Sequence, residues 1–137
     1  MPFVLDNSVV SGWYLRDQAD DYSESIAQRL LDDRAVVPVI WELELANVLR
    51  SACRRQRLHA SSAQEILSRI AELPIDVDRI ATPPSELLAL SLRFDLSAYD
   101  ASYLALALRL QLPVATRDDA LRAAALASGV GAVSGRQ

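Results

Sequence analysis

Four short apolar runs, each followed by a longer stretch of helical periodicity, constrain this chain more than any other feature. They are Phe3–Leu5, Ala35–Val37, Pro74–Val77 and Pro113–Ala115. All are strand-length rather than helix-length, and Pro2, Pro38 and Asp6 punctuate their ends. The intervening segments predict helices over Val9–Arg16 and Ile40–Gln56. A further helix opens at Asp20 or Asp21 and carries Ile26, Leu30 and Leu31 at helical spacing. Another is capped by Ser61 or Ser62 and runs to Leu73. Glu86–Phe94 follows the break Thr82-Pro83-Pro84, then come Ala98–Gln111 and Asp119–Ala127, with Gly131–Val133 as a candidate edge strand. Strands alternating with helices predict an α/β fold around a central, mostly parallel sheet flanked by helices. At 137 residues the chain is expected to be one domain, spanning 1–137.

Ligands of such sheets bind beyond the carboxyl ends of the strands, and acidic residues stand at the lips of these apolar elements. Asp6 closes the first run, Glu44 opens an apolar helix face, Asp100 heads the almost chargeless Ala101–Leu112, and Asp118 follows the run ending at Ala115. Each has a structural reading. Asp6 is placed to cap a helix, Ser97 to Asp100 and Thr116 to Asp119 have capping-box spacing, and Glu44 sits on a helix flank. In helical projection, Trp41, Leu45, Val48, Leu49 and Ala52 form one face. Glu44, Asn47, Ser51 and Arg55 line its margin, and Glu42 points away. Four such acids around one sheet edge fit an oxygen-ligand site for Mg²⁺ or Mn²⁺ better than four separate caps. Ser8 is a candidate supporting hydroxyl.

Composition removes the main competitors. All fourteen basic residues are Arg, so the Lys of a P-loop is missing. A single His and a single Cys exclude a zinc site of those ligands, and His59 has no partner placed for a hydrolytic triad. A net charge of −4 excludes global attraction to nucleic acid. Lone Cys53, a strand starting directly after Met1-Pro2, and no apolar stretch of membrane-spanning length lead to a cytoplasmic expectation.

Asp6-Asn7-Ser8, Glu44-Leu45-Ala46-Asn47, Tyr99-Asp100-Ala101 with Tyr103–Ala107, and Ala115-Thr116-Arg117-Asp118 stand in an order that resembles the motifs of PIN-domain ribonucleases. The nearest likeness is to the toxin subunit of type II toxin–antitoxin pairs of the VapBC kind. That resemblance implies a PIN-like fold over essentially the full length and metal-dependent endoribonuclease activity. It implies Asp6, Glu44, Asp100 and Asp118 as the acidic quartet binding Mg²⁺ or Mn²⁺, with Ser8, Asn47 and Thr116 in support. RNA would then need cationic contacts that the acids cannot give, and Arg50, Arg54, Arg55 and Arg57 form the only dense basic run.

The resemblance also implies a homodimer and a cognate antitoxin whose Arg or Lys reaches the carboxylates. Tyr99–Leu112 with Trp13, Tyr14, Ile26, Leu30 and Leu31 offer apolar surface for such partners. Two rivals stand beside this reading. One is a housekeeping RNA-processing factor or a non-catalytic RNA-binding module of the same fold. The other is a Mg²⁺-dependent phosphohydrolase of small phosphate esters, against which count the missing Asp-x-Asp motif and the absence of Lys.

Overall fold

All pairings in the sheet are parallel. The computed structural model describes residues 1–135, in which β1 (Phe3–Leu5), β2 (Ala35–Pro38), β3 (Ile75–Asp78) and β4 (Val114–Ala115) lie in the order β3-β2-β1-β4. Parallel neighbours need long crossovers, and the helices supply them. Helices α1 (Asn7–Tyr14) and α2 (Asp21–Arg29), joined by a 3-10 turn at Arg16–Gln18, connect β1 to β2. Helices α3 (Ile40–Arg54) and α4 (Ala60–Ala71) connect β2 to β3. Helices α5 (Pro84–Phe94) and α6 (Ala98–Leu110) connect β3 to β4, and α7 (Asp119–Ser128) follows.

Phe3, Val4 and Leu5 are completely buried. A strand covered on both faces reads as a continuous apolar run rather than an alternation, which is why β1 shows no period of two. Helix α6 packs against β1, β2 and β4, while α5 packs on α6. Ala101 and Tyr103–Ala107 are therefore buried almost all round. Each large apolar side chain so enclosed contributes about 1.5–3 kcal/mol. At the other end of the chain order, a Cβ on Gly12 would fall 2.7 Å from Ser23 Cβ. Only glycine lets α1 and α2 approach this closely.

Several sequence expectations need correction. Helix α1 starts at Asn7 rather than Val9, so Ser8 lies inside it. Helix α4 starts at Ala60 with His59 at the N-cap position, so neither Ser61 nor Ser62 caps it. Leu31 is 83% exposed because α2 ends at Arg29 and the chain turns there. Ile26 and Leu30 are buried in this chain's own core, and so are Ala101 and Tyr103–Ala107 of the Tyr99–Leu112 stretch, which shrinks the apolar surface left for partners. The strand expected at Gly131–Val133 is one parallel bridge, Val114 to Ala132. Among the described residues no helix is long and apolar enough to cross a membrane.

Candidate active site

Register brings the first two site residues together. Leu5 pairs with Ala115, so the next residues, Asp6 and Thr116, leave the sheet side by side at the carboxyl ends of β1 and β4. Asp6 occupies the N-cap position of α1, yet its side chain makes no capping bond. Instead Oδ2 accepts from Ser8 Oγ and from Thr116 Oγ1, both at 2.7 Å. Thr116 Oγ1 in turn accepts from the Asp118 amide at 3.0 Å, and Ser8 Oγ from the Arg117 amide at 3.0 Å. Thr116 is thus a brace for Asp6, and the capping box expected from Thr116 to Asp119 does not form. Helix α7 is capped by Asp118, whose Oδ1 accepts from Ala120 and Leu121. Asp119 is exposed and pairs with Arg122.

Asp100 and Glu44 enter on helices. The Ser97 hydroxyl accepts from the Asp100 amide at 3.1 Å and caps α6, which sets the Asp100 carboxyl in the first turn. Glu44, half-buried in α3, accepts a 2.5 Å bond from the hydroxyl of Tyr103, a fully buried residue of α6. The expectation that Glu42 faces away agrees with its ion pair to Arg79.

The four acids are electrically one cluster. Burial is the largest influence on Asp6, Glu44 and Asp100, and it holds all three carboxyls above their usual range. Mutual repulsion adds to it: Asp118 acts on Asp6, Asp118 and Asp6 act on Asp100, and Asp6 and Asp100 act on Glu44. The Ser8, Thr116 and Tyr103 hydroxyls pull the other way by stabilising the anions. The same surroundings push the Tyr103 hydroxyl far above the ordinary tyrosine range, chiefly through burial, so it serves as a donor.

The donors are all oxygen, which suits a hard cation such as Mg²⁺ or Mn²⁺ and not a thiolate-seeking one. Among the described residues no group of three or more acids, histidines or cysteines is drawn together tightly enough to hold a metal ion by itself. Carboxyls that repel one another still suit a hard cation that keeps part of its water shell.

Asn47 makes no hydrogen bond to the four acids among the described residues. It is exposed one turn beyond Glu44 and lines a neighbouring cavity with Arg55 and Arg57. None of the four carboxylates lines that cavity. Arg50 and Arg54 are exposed and lie outside it, while Arg57 is ion-paired with Asp17.

Two contributors were not anticipated. Tyr103 was legible only as a polar tip on an apolar helix, a group that needs a partner when buried. Arg117 carries the denser network: its guanidinium donates to Ser8 O (2.7 Å), Gln18 O (2.6 Å) and Ser11 Oγ (3.1 Å) and pairs with Asp20. It ties the Asp118 segment to α1 and the 3-10 turn.

Comparison with known proteins agrees with this fold. The family model for the PIN domain matches residues 3–126. Among solved structures, the crystal structure of PAE2754 from Pyrobaculum aerophilum superimposes with a TM-score of 0.67 at 20% identity. The match covers 90% of this chain and 79% of that one, a likeness of fold. No curated protein matches by sequence.

Proposed function

The chain belongs to the PIN-domain family, whose members are generally metal-dependent nucleases, and on that premise we propose that it is a Mg²⁺- or Mn²⁺-dependent endoribonuclease. One observation carries the reading: Asp6, Glu44 and Asp100, from distant parts of the sequence, are held above the usual carboxylate range by burial and by repulsion within a set that Asp118 completes. Such an arrangement costs stability unless a cation offsets it. Asp6, Glu44, Asp100 and Asp118 would hold the metal. When bound, it polarises the scissile phosphate and makes water a stronger nucleophile at neutral pH. The chain's own groups keep the acids placed. Ser8 and Thr116 fix one oxygen of Asp6, Tyr103 fixes Glu44, and the α7 amides fix one oxygen of Asp118 while leaving the other out of the cap. Arg50, Arg54, Arg55 and Arg57 would supply the phosphate contacts that the acidic cluster cannot.

Within the nuclease class we assign the toxin role of a type II toxin–antitoxin pair in the cytoplasm. Exposed Leu88 and Leu92 on α5 and Tyr99 on α6 support a homodimer. An antitoxin Arg or Lys entering the carboxylate cluster would compete with the cation. Structured RNA and a generic aryl phosphate, each with Mg²⁺ and with EDTA, separate the substrate classes. RNA alone should be cut, and only with metal; turnover of the ester alone would reject the reading. Light scattering should find a dimer. A monomer inert to the product of an adjacent small gene would defeat the toxin role and leave the nuclease.

A further inference from the structure

Beyond Glu44 on α3, Asn47 and Ser51 border a cavity of about 240 Å³ whose other lining includes Leu15 and Gln18 at the 3-10 turn, with Arg55 and Arg57. We propose that this cavity is a subsite for one unpaired RNA base beside the scissile phosphate. Asn47, Ser51 and the Gln18 side-chain NH2, whose Oε1 already accepts from Arg117, would meet the base edge, and Arg55 and Arg57 the phosphate. The proposal rests on the nuclease reading and adds where base selectivity arises.

Position comes first. Asn47 and Ser51 lie three and seven residues past Glu44, so the helix carries the acidic cluster and the cavity wall along one side. Unused chemistry comes second. The Asn47 amide, the Ser51 hydroxyl and the Arg55 guanidinium have no hydrogen-bond or ion-pair partner among the described residues. An amide presents both donors and acceptors, which suits a base edge, and a guanidinium suits phosphate. Size comes third. The cavity is smaller than the ~300–1,000 Å³ typical of pockets for drug-sized ligands, and so suits one base rather than a base pair. Specific RNA recognition targets such splayed, unpaired bases.

The wall is also fixed relative to the acids. Arg117 donates to Gln18 O on the cavity side and to Ser8 O beside Asp6. Arg57 pairs with Asp17, another lining residue, so an entering phosphate would draw Arg57 away from that carboxylate. Arg55 needs no such exchange.

The test is equilibrium binding of fluorescein-labelled oligoadenylate, oligocytidylate and oligouridylate in EDTA, where cleavage is blocked. Wild type should prefer one of them roughly tenfold, the scale of one good base contact. Asn47→Ala and Ser51→Phe should erase that preference while salt-dependent binding common to all three persists. Equal wild-type affinities, or a preference unchanged in the folded variants, would overturn the subsite. If Ser51→Phe fails to fold, Asn47→Ala at its exposed position decides alone. Adding Mg²⁺ separates the two readings. Selective binding without cleavage removes the nuclease and keeps the subsite, and cleavage without selectivity does the reverse.

Discussion

Replacing Tyr103 with Phe deletes one oxygen from the interior and isolates the link between core and acidic cluster. The ring is fully buried and would keep its packing, so the variant opens no large cavity. What it loses is the 2.5 Å bond donated to Glu44 Oε1. A hydrogen bond to a charged group contributes about 1.5–3 kcal/mol. Glu44 is half-buried and water recovers part of the loss, which places the destabilisation at the low end, about 1.5 kcal/mol. For a chain of 137 residues this corresponds to roughly 4–7 °C in Tm. Glu44 should also bind its proton more tightly, since the Tyr103 bond is what counters burial there. Urea denaturation in EDTA of Tyr103→Phe, Glu44→Ala and the double variant measures the pair directly. A coupling of about 1 kcal/mol or more is expected, and additivity within ~0.5 kcal/mol would refute the reasoning.

Three further outcomes follow from the same structure. Mg²⁺ or Mn²⁺ should raise the Tm of the wild type, because binding to the native state alone stabilises it, and should shift Asp6→Asn or Asp100→Asn much less. Equal shifts in wild type and a variant lacking all four carboxylates would dissolve the shared site. In EDTA, these carboxyls should make stability fall as pH rises above the ordinary carboxylate range. Asp6, Glu44 and Asp100 titrate higher in the fold than unfolded, so the native state holds more protons across that window. Asp20, where burial is outweighed by the Ser23 and Arg117 hydrogen bonds, works the opposite way and loses its contribution only in stronger acid. A Tm rising from pH 5 to 7 in EDTA would contradict the claim. Finally, Gly12→Ala should cost about 1–3 kcal/mol by forcing α1 off Ser23, and an unchanged chemical-denaturation midpoint would show that the helices separate freely.

Local pattern carried the sheet. Phe3–Leu5 and Ala35–Val37 are runs of β-forming residues between breakers, and their parallel order follows from the helices between them. It also placed Asp6 and Asp118 beyond strand ends, because that position depends only on where a run stops. Contacts between distant segments were not legible. The Tyr103 hydroxyl meets Glu44 across 59 residues, and Arg117 reaches Gln18 and Ser8 across 99 and 109; no periodicity encodes such pairings. Capping was misread at Ser61, Ser62 and Thr116 for a related reason. Those hydroxyls have the right spacing, but α4 starts ahead of Ser61 with His59 at its N-cap, and α7 starts beyond Thr116 with Asp118 at its N-cap, while Thr116 is held by Asp6. The exposure of Leu31 depended on where α2 ends, which apolar spacing alone does not fix.

Cleavage of RNA by purified wild type, Asp6→Asn, Asp100→Asn and Glu42→Gln in Mg²⁺, with folding confirmed by melting, tests most directly whether the acids form one catalytic site. Both site variants should lose on the order of 10²–10³-fold or more in rate, while Glu42→Gln, on the side paired with Arg79, should cut like the wild type. Wild-type cleavage by a folded Asp6→Asn or Asp100→Asn protein would contradict the account.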